Sequence, residues 1–168
     1  MNSPNDLFTI FADLIRRTRQ HHAIEHATIH VLGTRFPGQS FSGHSDPLGF
    51  TIYGAIGEGD LRRAVGDALL RLQAGESGLA RHPNCGTNLV VTGVLVTLVA
   101  LLFGGGRRSG AERFATMLLG VLPALVLARP LGYHFQRYTT LADVADRWVA
   151  EIQPVKIGQL RAQRVIFE

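Results

Sequence analysis

Residues 87–103 read TNLVVTGVLVTLVALLF, seventeen positions without a charged side chain. A second uncharged run, FATMLLGVLPALVLA at 114–128, follows after the glycine- and arginine-rich stretch GGGRRSGAER. Each run is close to the length a helix needs to cross a hydrocarbon layer about 30 Å thick. Together they predict a transmembrane helical hairpin over 87–128. The alternative is a pair of buried core helices, but the remainder of a 168-residue chain is too small to cover both on all sides. Pro123 is expected to kink the second span, which membrane helices tolerate. The composition agrees: 18% of residues are charged, against about 25% in an average soluble domain.

On the N-terminal side, residues 5–19 place Leu7, Phe8, Ile10, Phe11, Leu14 and Ile15 near helical spacing, ahead of Arg16, Arg17 and Arg19. This is a packing helix or one lying on a membrane surface with basic anchors. Helix continues over 21–33, until Gly33 and the Pro37-Gly38 breaker. The runs QSFSGHS and GFTIYGAI, joined by DPLG, predict a β-hairpin with Asp46 stabilising its turn. In GEGDLRRAVGDALLRLQAGE, Asp60 is a candidate N-cap, and Leu61, Ala64, Val65, Ala68, Leu69 and Leu72 form one apolar face. Residues 1–86 thus read as a membrane-proximal α+β domain. After the spans, TTLADVADRWVAEI predicts a helix capped by Thr139 or Thr140, with Trp148 near its apolar face. The tail PVKIGQLRAQRVIFE alternates loosely, like an edge strand. Segment 129–168 is therefore expected to pack on the first domain. The predicted class is α+β: a small helix–β-hairpin–helix domain joined to a two-span transmembrane helical hairpin and a C-terminal helix.

The net charge of +4 rests on arginines, with one lysine at Lys156. No basic stripe is interleaved with aromatics, so the expected partner is the lipid bilayer and not nucleic acid. A single cysteine excludes an intrachain disulfide. The N-terminus sets its arginines after the apolar stretch, the reverse of a secretory signal. Arg107, Arg108 and Arg113 favour a cytoplasmic turn, whereas Arg71, Arg81, Arg129, Arg137 and Arg147 favour cytoplasmic termini. We place the termini and the soluble part on the cytoplasmic side of the inner membrane.

The chemistry centres on RQHHAIEHATIHVLG, residues 19–33, which holds four of the seven histidines. On a helix, His22, Glu25 and His26 share a face. This H-x-x-E-H pattern lets two imidazoles bind one zinc while the carboxylate takes a proton from water. His30 continues the His26 face by another turn, so a His26/His30 pair is a competing choice, and His21 is expected to point into solvent. A catalytic zinc needs a third protein ligand and an open fourth position. His82 and Cys85, in RHPNCGTN, have a chelating spacing. Thr87 or Asn88 could cap the first span there, leaving the Cys85 thiol at a helix N-terminus, where the dipole favours thiolate. The predicted set is Glu25 as catalytic base and His22, His26, His82 and Cys85 as metal ligands. A Cys/His set favours zinc.

HHAIEHATI together with HPNCGTNLVV ahead of an apolar run resembles an uncharacterised family of bacterial integral-membrane proteins, whose members pair an H-x-x-E-H segment with H-P-x-C-G-T before transmembrane helices. The resemblance implies a membrane-proximal site on His22, Glu25, His26, His82 and Cys85. It supplies no reaction. Where such proteins carry H-G-A-E-H-K, this chain has Ala23, Ile24 and Ala27 in place of the glycine, alanine and lysine.

Two functions follow. The first is a membrane-anchored metal-dependent hydrolase with Glu25 activating water. The second is a non-catalytic accessory or assembly protein, alone as a homo-oligomer or beside other membrane-protein subunits, with a closed structural metal site or none. A Cys85 nucleophile with a histidine base is a third possibility, crowded by the adjacent span.

Overall fold

The computed structural model describes residues 4–105, 109–158 and 160–168. Arg107 and Arg108, which bear on orientation, lie outside these. The architecture is mixed α+β, with four α-helices, a short 3-10 turn and a four-stranded antiparallel sheet. The chain divides into two units, one made of residues 1–81 and 139–168, the other of 82–138.

The first unit opens with helix α1 (Pro4–Arg35), one continuous element through both predicted segments. Strands β1 (Ser42–Asp46) and β2 (Gly49–Tyr53) form the predicted hairpin. The Leu48 amide donates to Asp46 Oδ1 (2.8 Å) and Arg164 pairs with the same carboxylate (2.7 Å), so Asp46 stabilises the turn as expected. Helix α2 (Glu58–Gln73) buries the six residues its periodicity selected, Leu61, Ala64, Val65, Ala68, Leu69 and Leu72. Its N-cap is Gly57; Asp60 instead sits in the first turn and pairs with Arg63. A 3-10 turn (Ser77–Ala80) follows.

The C-terminal helix is a correction. Residues 141–148 contain no helix, and the chain instead forms β3 (Val149–Ile157) and β4 (Leu160–Phe167). The sheet order is β1-β2-β4-β3, so the tail contributes a central strand. The reason lies in where the backbone finds its partners. The Leu141 amide donates to Arg19 O (2.9 Å), and Gln20 Nε2 donates both to Asp143 O (2.8 Å) and to Asp146 Oδ1 (2.7 Å). Groups that a helix would pair internally are satisfied by α1. Beyond them, β-branched residues meet the open edge of β2, where strand pairing wins.

Phe50, Ile52, Val165 and Phe167 from the sheet meet Ile24, Ala27 and Leu32 of α1 and Leu61 and Val65 of α2 in one core. At about 25 cal/mol per Å² of apolar surface, full burial of such side chains contributes roughly 1.5–3 kcal/mol each before entropy is subtracted.

In the second unit, α3 (Gly86–Phe103) and α4 (Gly110–Thr139) are long and apolar enough to cross a membrane by length and composition. They approach closely at glycines: a Cβ at Gly120 would lie 2.6 Å from Val99 Cγ1, and one at Gly132 would lie 2.8 Å from Asn88 Cα. The buried residues Ala124, Ala128, Gly132 and Gln136 continue the line from Gly120 at intervals of four, one face of the helix. α4 runs as helix through both Pro123 and Pro130.

Candidate metal centre

The α-helical repeat puts His22 and His26 one turn apart on α1, with ring centroids 4.3 Å from each other. His22 Nδ1 lies 3.0 Å from the Thr139 carbonyl oxygen and His26 Nδ1 lies 2.8 Å from that of Ala80. A carbonyl oxygen only accepts, so each Nδ1 carries the proton and each ring presents Nε2 as its lone-pair nitrogen. Donation of the other ring N–H to a backbone carbonyl is the usual supporting arrangement of a metal-binding histidine, because it fixes both tautomer and orientation. His30 is set the other way. Its Nε2 bonds the Arg81 carbonyl (2.9 Å), so its lone pair is on Nδ1.

Glu25 is 4% exposed, and its carboxylate is turned toward β1, where the Ser45 hydroxyl donates to Oε2. Gly43 makes the room: a Cβ there would sit 2.5 Å from Glu25 Oε1. Burial pushes the carboxyl above its usual range, opposed by the Ser45 bond and by the charges of His22 and His44.

His21 is the second correction. It is 1% exposed, stacks on Phe167 at 4.9 Å and bonds the Asp46 carbonyl through Nδ1 at 2.9 Å. β4 and the hairpin turn cover the side of α1 expected to face solvent. Burial holds its ring below the ordinary value, against the Asp46 carbonyl bond that raises it.

In the second unit, Cys85 is itself the N-cap of α3, its Sγ accepting from the Thr87 amide at 3.4 Å. The capping role expected of Thr87 or Asn88 therefore falls to the thiol. His82 Nδ1 accepts from the Asn84 amide (3.2 Å). Gln136, fully buried, holds the His82 backbone from both sides: the His82 amide donates to Oε1 and Nε2 donates to the His82 carbonyl, each at 2.8 Å. Nε2 also donates to Asn88 Oδ1 (3.0 Å).

Sequence reasoning passed over Gln136, Ser45 and Gly43. Gln136 had a readable signal, since it is the single amide on the four-residue line of small side chains along α4. Ser45 and Gly43 had none, because their roles arise only when β1 lies against α1.

The imidazoles of His22 and His26, one turn apart on α1, are two donors that can hold a metal ion. The fold and the site define a class: an α+β protein with a histidine-rich helix and a pair of long apolar helices. The chain belongs to the family of the domain of unknown function DUF6391, whose model matches residues 17–152. It is 37% identical over 148 residues to an uncharacterized protein of Picosynechococcus sp. (strain PCC 7002), covering 80% of this chain and 71% of that protein. No solved structure matches.

Proposed function

We propose that this protein is an integral membrane protein of the inner membrane that binds one zinc ion through His22, His26 and Cys85, with His82 as the remaining candidate ligand. The observation that carries the metal reading is the pair of Nδ1 bonds from His22 and His26 to backbone carbonyls, which direct two Nε2 lone pairs from adjacent turns of one helix. Chain connectivity supports the inclusion of Cys85. His26 and His30 hold the carbonyls of Ala80 and Arg81, and Cys85 follows Arg81 within four residues, a contour of at most about 15 Å.

The membrane reading is supported by the surfaces of α3 and α4. Leu89, Leu102, Leu119 and Val126 are each more than 70% exposed, an apolar surface that water does not tolerate at this extent. At about 1.5 Å per residue α4 is longer than a hydrocarbon layer of about 30 Å is thick, and α3 at about 27 Å comes within a few Å of it. We place the first unit on the cytoplasmic side.

A zinc ion held by His22, His26 and Cys85 would supply Lewis-acid chemistry there. Glu25, between the two histidines in sequence, would take a proton from the attacking water in a hydrolysis at the membrane face, which requires its buried carboxylate to leave the Ser45 hydroxyl. The accessory reading has its own observation. His22 and His26 hold the carbonyls of Thr139 and Ala80, tying α1 to the chain just after and shortly before residues 82–138, as a clamp would. In that reading His82 closes the site, and the protein serves a homo-oligomer or a larger membrane complex.

Cobalt substitution of the detergent-purified chain tests both. A tetrahedral spectrum with a thiolate charge-transfer band, lost in Cys85→Ser, is expected. Glu25→Gln should then keep the metal and abolish hydrolysis of peptide or lipid-ester substrates. Undiminished hydrolysis in that variant would remove Glu25 as the base, and no hydrolysis by wild type would leave the clamp.

A further inference from the structure

We propose that the cavity formed by Pro83, Asn88, Arg129, Pro130 and Tyr133 binds the phosphate of an anionic membrane phospholipid, with Arg129 as its cation. This rests on the membrane-spanning reading of α3 and α4. The cavity has a volume of about 270 Å³, near the lower bound of roughly 300 Å³ for small-molecule pockets. Pro83, Asn88, Pro130 and Tyr133 form its walls with Arg129, and among the described residues no acidic one lines it.

The position of Arg129 makes it unusual. Gly132 packs against Asn88, near the start of α3. Arg129 is three residues back along α4, about 4.5 Å along the axis, at the edge of the apolar run. It directly follows the uncharged run 114–128. Arginines at such depth pair with an acid or with backbone carbonyls, or extend toward the headgroup layer. Among the described residues no ion pair or hydrogen bond engages Arg129. Arg129, an exposed side chain, borders the cavity beside the prolines and Tyr133. A counter-charge for it would come from outside the chain. At this depth the available anion is a lipid phosphate, which a planar guanidinium binds in bidentate fashion. The acyl chains would run along exposed apolar residues such as Leu125 and Val126.

The test is native mass spectrometry of the full-length protein in detergent, titrated with phosphatidylglycerol, phosphatidylcholine or inorganic phosphate. Phosphatidylglycerol should bind wild type more tightly than phosphatidylcholine does. Its affinity should fall about tenfold, a loss of about 1.4 kcal/mol, in Arg129→Gln and much less in Arg129→Lys. Millimolar phosphate should not displace it. Equal affinity in wild type and a folded Arg129→Gln overturns the proposal, and displacement by phosphate assigns the cavity to a soluble anion. Should Arg129→Gln not fold, the wild-type comparison decides, and no preference for phosphatidylglycerol refutes the idea. Release of the protein from membranes by alkaline carbonate would instead refute the membrane reading, and this proposal with it, whatever Arg129 contributes.

Discussion

Gly43→Ala should destabilise the first unit through one contact. An alanine Cβ at this position would lie 2.5 Å from Glu25 Oε1, 2.6 Å from Cδ and 2.7 Å from Cγ. A long carboxylate side chain normally swings clear of such a methyl. Here it is 4% exposed and tethered by the Ser45 hydroxyl, so moving it breaks a bond in a buried place. Overpacking of this kind costs about 1–3 kcal/mol. Against it, alanine lowers the entropy of the unfolded chain and returns about 0.4–1 kcal/mol. The net loss is about 1–2 kcal/mol, a fall in Tm of about 5–10 °C for a domain of roughly 100 residues. Trp148, the single tryptophan, lies in this unit with its Nε1 on Glu168 at 3.2 Å, so its fluorescence reports the unfolding. Combining Gly43→Ala with Glu25→Ala removes the clash, and the double variant should be more stable than the sum of the single effects by about 1–2 kcal/mol. An unchanged Tm in Gly43→Ala, or strict additivity in the cycle, would show that the Glu25 carboxylate does not lie against β1.

Gln136→Leu strands the half-buried amide and carbonyl of His82 and should cost about 1–3 kcal/mol in thermal unfolding. Gln136→Glu, which accepts but cannot donate when ionised, should restore only part of that loss; a Leu variant as stable as wild type would refute the Gln136–His82 pairing. The Asp146 carboxyl is lowered to about 2 by bonds from Arg147 and Gln20. A carboxylate depressed in the folded state stabilises fully above its unfolded value, near 4, and loses that contribution as pH falls through 2. With a side chain 39% exposed, screening leaves under about 1 kcal/mol. Asp146→Asn should therefore weaken the protein at pH 7 and flatten the decline between pH 4 and 2, measured by urea unfolding; an unaltered acid limb would show that the pairing does not contribute.

Local periodicity decided what could be read in advance. The α2 face, the hairpin with Asp46 at its turn and the two uncharged runs each announce themselves within a short window. His22 and His26 were legible for the same reason, since i and i+4 meet on any helix. The C-terminal segment failed because its periodicity is shared: Leu141, Val144 and Trp148 suit a helix until Arg19 and Gln20 satisfy its backbone groups from across the chain. His21 failed because the strand that buries it, β4, lies nearly 150 positions downstream. The direction of Glu25 depended on a glycine in β1, which no helical pattern encodes.

Zinc stoichiometry tests the central claim most directly. Detergent-purified wild type, His26→Ala and Cys85→Ala would be measured by elemental analysis after exhaustive dialysis, with and without added zinc. About one equivalent in wild type and its loss in both variants is the predicted result, joining the α1 histidines and the α3 cap in one centre. Wild type that neither carries zinc nor takes it up, or a Cys85→Ala variant that retains a full equivalent, would contradict it.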